Sequence, residues 1–240
     1  MNAAPGRVDG RRSRWAEHNQ ERRLLILDAA VTVIERSPVD THIQVEQIAR
    51  QAGLGRAVLY RHFTDRADLD RAVQTYILDD LLGRLTPQVV LEGTIGQIIT
   101  RLVSTYVEWA DAHPALHEFA VRDSAQVADG SPLQGSMTHV TNSLSGLLVV
   151  GAEMLAVELD ADDRAAVEPL VAGLVGLAVT GVRVWLGRAE RQPDAATLSR
   201  LLSDTIWYLI DGHARARGAI IDPAAPIEDV IEAAWMGSRA

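Results

Sequence analysis

Residues 44–68 read QVEQIARQAGLGRAVLYRHFTDRAD, and this stretch decides the fold. It is the pattern of two short helices joined by a glycine turn, followed by the capped start of a third. Residues three and four apart share one face of a helix. In the second short helix, expected over Gly55 to His62, that spacing puts Ala57, Tyr60 and Arg61 on one side, with Arg56 beside them. Leu59 and Phe63 point the other way, as core residues should. A small helix with a cationic, aromatic and sterically lean outer face suits the DNA major groove.

The flanks agree. The first short helix is expected from Val45 to Gln51, with Val45, Ile48 and Ala49 facing inward. Gly53 supplies the left-handed backbone that follows a helix end. Thr64-Asp65 then breaks the chain. Asp65 caps the next helix with Asp68 three residues on, an acidic form of the capping box. Upstream, a helix from Glu17 to Arg36 carries Leu24, Leu27, Ala30, Val31 and Ile34 at helical intervals, and Ser37-Pro38 ends it. Residues 1–15 have no periodic apolar face and read as a flexible arginine-containing arm. Its Arg11, Arg12 and Arg14 either stay solvated or reach DNA.

Composition sets the limits. The chain has 240 residues, 48% hydrophobic, with no cysteine, which excludes disulfides, thiolate metal sites and cysteine catalysis. The net charge of −9 speaks against nucleic acid, but the distribution reverses this. Residues 1–71 hold 12 Arg against 10 Asp and Glu, and the remainder holds 11 against 22. The basic share lies where the reading helix lies. No apolar run precedes a cleavage site, so a signal peptide is not expected. The apolar run Leu170 to Val182 is too short to span a bilayer, so no membrane partner is expected.

Downstream the pattern is helical throughout. Leu69, Val73, Tyr76 and Ile77 continue an apolar face to Leu85, and Thr86-Pro87 stops it. Ile95, Ile98, Ile99, Leu102, Val103 and Tyr106 follow the helical template, and His113-Pro114 ends that helix. The next is expected to reach about Gln126. Further helices are expected over 133–159, 163–188 and 194–217, with a short last one over 227–236. The helix over 163–188 is apolar nearly all round and should be buried on most sides. The fold class is therefore all-α. A three-helix DNA-binding domain with a helix-turn-helix (16–64) precedes a larger helical domain (65–240).

The run of IA, AG, LYRHF and DRADL within residues 44–69, with ILDAA upstream (26–30), resembles the TetR family of bacterial transcriptional regulators. The resemblance covers about Leu24 to Leu69. It implies a homodimeric regulator of double-stranded DNA with a palindromic operator, most often a repressor released by a small-molecule effector. By position, Tyr60 and His62 contact phosphates and Arg66 reaches the backbone from the start of the connecting helix. Arg56, Ala57 and Arg61 face base edges, where arginine pairs with guanine. Gln44 and Glu46, at the start of the preceding helix, lie where base or phosphate contacts also occur. Gln44 and Gly55 replace hydroxyl residues common in the family, and Ala57-Val58 replaces a frequent Gly-Thr pair.

The larger domain is implied to hold a ligand cavity and a dimer interface. Trp109, His113, His117, Phe119 and Arg122 cluster around two consecutive helices, and Met137, His139, Met154 and Trp185 lie on later ones. An apolar cavity with few polar groups is the usual form of a small-molecule site. The competing reading makes these core aromatics and satisfied histidines. His113 and His117 have a spacing that a metal could use, but no third ligand stands out, so no metal and no cofactor is expected. The helices over 163–188 and 194–217 are the candidates for the homodimer interface, as a four-helix bundle. No catalytic set stands out, so an enzyme is not expected. The alternatives are a ligand-binding helical module with weak or lost DNA binding, or a ligand-independent regulator or activator.

Overall fold

The computed structural model describes residues 9–39, 41–90, 92–122, 131–154, 157–229 and 232, and among them the regular structure is helical. Helix α1 spans Asp9–Glu35, α2 Val45–Gln51, α3 Arg56–Leu59 and α4 Arg66–Leu85. They are followed by α5 (Ile95–Ala112), α6 (Pro114–Val121), α7 (Pro132–Met154), α8 (Ala161–Leu186) and α9 (Ala195–Ala216).

The head is α1 to α3. Its centre is Ile26, Ala30, Ile34, Ile43, Ile48, Leu59 and Phe63, each at most 4% exposed. Two expectations for α1 are corrected. The helix starts at Asp9 rather than Glu17, so the expected arm is helical from Asp9 onward, and residues 1–8 lie outside the described residues. Arg, Ala and Glu are good helix formers, so the helix continues where no core remains to be faced. Leu24 is 42% exposed and does not belong to the stripe. The buried arc is set by Ile26, Ala30 and Ile34, and Leu24 falls beyond its edge.

Local signals in the head act as the residue types predict. Gly53 has φ 66°, a conformation that an L side chain rarely adopts. The Asp68 amide donates to Asp65 Oδ1 (2.8 Å), and the Thr64 amide donates to Asp68 Oδ2 (2.8 Å), a reciprocal cap that fixes where α4 begins. At α2 the Gln44 amide donates to Gln47 Oε1 (2.7 Å), which holds the start of this helix without a hydroxyl at position 44.

Helix α4 joins head to body. Leu69, Val73, Ile77, Leu78 and Leu81 are buried, and the core runs without a break from α1 through α4 into α5, α6 and α8. The Tyr76 hydroxyl donates to Asp28 Oδ1 (2.6 Å), and the buried Gln74 amide donates to the Phe119 carbonyl (3.2 Å). Helix α5 packs most extensively on α9, and α7 on α8.

The later helices depart from expectation in three places. Helix α6 ends at Val121, and residues 123–130, which include the expected continuation to Gln126, lie outside the described residues. Helix α7 is described to Met154, residues 155–156 lie outside the described residues, and 157–160 are not helical although the expectation ran to Leu159; Asp160 is taken as the cap of α8, accepting from the Asp163 amide at 2.7 Å. The third departure is the burial of α8. In the single chain only Val171, Val182 and Trp185 are buried, while Leu170 (48%) and Val184 (59%) stand in solvent. Helix α8 is long and apolar enough to cross a membrane by composition. It opens, however, with Asp162, Asp163 and Arg164 and anchors its other end in the core through Val182 and Trp185.

Candidate nucleic-acid interface and the core behind it

Helix α3 is one α-helical turn, and the chain continues in tight turns to His62 through bonds from the Arg61 amide to Val58 and the His62 amide to Leu59. Leu59 (0% exposed) and Phe63 (1%) pin it to the head from below. Arg56, Ala57 and Arg61 are exposed on the outside, and Tyr60 is half-buried at the edge of the core. The Arg56 guanidinium lies 5.5 Å from the Tyr60 ring centroid and pairs with Glu46 of α2 at 2.5 Å. The Arg56 side chain of α3 is therefore bound to Glu46 of α2 in the free protein. Gln44 is exposed beside them.

Arg66 is half-buried at the start of α4. Its Nε donates to both Asp70 carboxylate oxygens (2.9 and 2.8 Å), and Nη1 donates to the Ile43 carbonyl (2.6 Å). The side chain ties the segment before α2 to the first turn of α4, so its guanidinium is already engaged where a backbone contact was expected. The i, i+4 spacing of Arg66 and Asp70 favours this pairing on the helix itself.

At the far end of α3 two residues of α1, missed in the sequence, become important. Arg23 Nη1 donates to the His62 carbonyl (2.9 Å), and its guanidinium stacks 4.4 Å from the Phe63 ring centroid. Burial and then the charges of Arg22, Arg23 and Arg61 hold His62 below its ordinary pKa. The signal was present: Arg22 and Arg23 lie one turn before Ile26 and Leu27, on the edge of the same buried arc.

This arrangement of α2, a glycine turn and α3 on a three-helix head matches known regulators. The family described as bacterial regulatory proteins, tetR family, matches residues 26–73. Residues 26–73 are a TetR-family regulatory domain. It is 26% identical over 225 residues to an HTH-type transcriptional regulator of Mycobacterium tuberculosis, covering 89% of this chain and 88% of that relative. In fold it resembles a tetR-family transcriptional regulator from Streptomyces coelicolor, with a TM-score of 0.64, 20% identity, and 90% of this chain and 89% of that one covered. A second likeness is to the regulator FadR from Bacillus subtilis, solved in complex with stearoyl-CoA, with a TM-score of 0.58, 20% identity, and 79% of this chain and 98% of that one covered. Elements α2 to α3 are thus the helix-turn-helix of a TetR-family DNA-binding domain, and the likenesses in sequence and in fold are to transcriptional regulators.

Behind this TetR-family head, the body brings together part of the expected ligand-lining set. Trp109, His117, Phe119 and Trp185 are all buried in the continuous core, and Met137 packs against it. The His117 ring is 5.9 Å from that of Tyr106 and 6.3 Å from that of Trp109. His117 Nε2 and the Tyr106 hydroxyl form a buried hydrogen bond of 2.8 Å, while His117 Nδ1 is buried with no partner. Burial, and then the charge of Arg183, lowers the His117 pKa to about 4, so the ring is neutral at pH 7. Arg183 itself is held by Glu118 (3.1 Å).

The other expected lining residues go elsewhere. His113 Nδ1 meets Glu35 Oε1 at 2.6 Å and ties the α5–α6 corner to the end of α1. Arg122 is exposed, its guanidinium 5.3 Å from the Phe119 ring centroid. His139 is exposed on α7, and Met154 (37% exposed) lies at that helix's C-terminal end. With His113 facing Glu35 and His117 facing Tyr106, their i, i+4 spacing does not converge on a metal. Among the described residues no group of three metal-ligating side chains occurs. An open groove of about 620 Å³ lies instead between the start of α5 and α9, lined by Thr94, Gln97, Arg101, Ser203 and Trp207 among others.

Proposed function

We propose that the protein is a homodimeric repressor that binds a palindromic operator and is released from it by a small, largely apolar ligand, in the cytoplasm and without a membrane partner. The observation that carries the DNA half is the exposed trio Arg56, Ala57 and Arg61 on a helix pinned from below by Leu59 and Phe63. An arginine on such a helix reaches guanine bidentately, and an alanine methyl meets a thymine methyl. Two heads related by a dyad present these helices about 34–36 Å apart, one DNA turn.

Support for the dimer comes from the helices over 163–188 and 194–217 of the sequence reading. In one chain Leu170 and Val184 of α8 and Leu201, Tyr208 and Leu209 of α9 are exposed. Leu170, Leu174, Leu177, Gly181 and Val184 recur at helical intervals, so α8 carries a stripe of which Leu170 and Val184 are exposed in the single chain. Symmetric pairing through α8 and α9 gives a four-helix bundle that covers it.

The ligand reading is supported by the buried Trp109, Phe119 and Trp185 of the core, by Met137 packed against it, and by His117 Nδ1, which is buried without a partner among the described residues. It is also supported by the Bacillus subtilis likeness, whose complex holds an acyl-CoA. Coupling follows the links from body to head. Gln74 on α4 holds the α6 backbone, and Glu35 on α1 holds His113. A ligand that moves α6 therefore moves α4 and changes the spacing of the heads, and DNA must weaken ligand binding reciprocally. The test is selection of duplexes from a random pool by the purified protein, followed by sedimentation and by mass spectrometry of co-purifying molecules. The proposal expects an enriched inverted repeat, a dimer, and a bound apolar molecule that lowers DNA affinity when added back. A monomer on the selected duplex overturns the dimer.

A further inference from the structure

The end of α3 carries a cluster of positive charge of which the base-reading face uses only Arg61. Arg22 and Arg61 are exposed, Arg23 and His62 half-buried, and the four lie where α1 crosses the end of the recognition segment. The ion pairs within the head are His18 with Glu21, Arg56 with Glu46 and Arg66 with Asp70. Among the described residues Arg22, Arg23 and Arg61 take part in none of them. In a chain of net charge −9, three arginines whose charges reach one imidazole are gathered here. Their mutual repulsion is relieved by an anion placed among them.

The roles within the cluster differ. Arg23 has its fork on the His62 carbonyl and its plane on Phe63, so it braces the end of α3 while adding charge. It is a positioning residue. Among the described residues Arg22 has no ion-pair partner, and a guanidinium fork matches two phosphate oxygens. We propose that Arg22 of α1, with His62, forms a binding site for a DNA backbone phosphate, so that the operator is clamped by a helix outside the helix-turn-helix while Arg61 stays with the bases. This rests on the DNA-binding reading above and adds a contact that the 44–68 stretch does not contain. It also gives His62 a defined chemistry. Burial and then the neighbouring arginines disfavour its protonation in the free protein, and a bound phosphate opposes both.

The test uses the full chain and a duplex that the wild type selects from a random pool, with affinity measured across a salt series. Each phosphate contact contributes about 0.9 to the slope of log K against log salt. Arg22→Ala should weaken binding about tenfold at low salt, flatten the slope by about one contact, and do so equally on the selected duplex and on a scrambled one. Arg22→Glu should weaken it further, with the helical circular dichroism unchanged. His62→Gln should remove a rise in affinity that the wild type shows as pH falls from 8 to 6. Wild-type affinity and slope in both Arg22 variants overturn the phosphate site and leave the DNA-binding reading standing. A wild type that selects no duplex overturns that reading, and the site with it.

Discussion

Acid should destabilise this protein through one side chain, His117. Its ring is 1% exposed and its folded pKa is lowered to about 4 against an ordinary 6.5, by burial first and by Arg183 second. A group whose folded pKa is depressed favours the unfolded state wherever the unfolded chain is protonated and the folded one is not. The contribution of neutral His117 is therefore fully present above pH 6.5 and is lost as pH falls towards 4. At about 1.36 kcal/mol per pKa unit, the full loss is about 3 kcal/mol, and about 2 kcal/mol is already gone at pH 5. Other groups titrate in the same range, so the informative quantity is the difference between wild type and His117→Gln in urea unfolding at pH 8, 7, 6 and 5. The variant loses the bond to Tyr106 at every pH, so it starts lower. The gap should then narrow by about 2 kcal/mol between pH 8 and pH 5. A gap that stays constant over that range refutes the claim that His117 is buried and neutral.

Further outcomes follow from the head and the exposed helices. Asp65→Ala removes the acceptor of the Asp68 amide and should cost about 1 kcal/mol of stability in urea, lengthening the frayed start of α4. Glu46→Gln frees Arg56 from its exposed partner. Stability should change by less than about 0.5 kcal/mol, while DNA affinity rises severalfold with a steeper salt slope, since a carboxylate beside phosphate is repulsive. Affinity that falls would place Glu46 among the base readers instead. Val184→Glu puts a charge at a position 59% exposed in the single chain. It should leave the monomer fold intact and shift sedimentation from dimer to monomer; an unchanged dimer would move the interface away from α8.

The head was legible in the sequence because its signals are local. Gly53, the Asp65–Asp68 cap and the 45–48–49 spacing each act within one turn of chain, and each appears where the residue types require it. What was not legible depended on partners far apart in sequence. Arg66 reads as a free cation until the Ile43 carbonyl, 23 residues earlier, is brought beside it. Arg23 gains its role only when α1 crosses His62, 39 residues later. His113 and His117 share a helix-like spacing, yet the corner at Pro114 sends one to Glu35 and leaves the other against Tyr106. Helix α8 misled for a different reason. Apolar composition predicts that a surface will be covered without saying by what, and burial within the chain was the wrong inference for Leu170 and Val184.

The central claim is that α3 reads DNA through exposed arginines held on a rigid base. The most direct test is the affinity of Arg61→Ala for the duplex that the wild type selects, compared with a scrambled duplex of the same length. The account predicts a loss of at least tenfold on the selected duplex, a smaller loss on the scrambled one, and an unchanged unfolding transition. Equal affinity of variant and wild type for the selected duplex contradicts it.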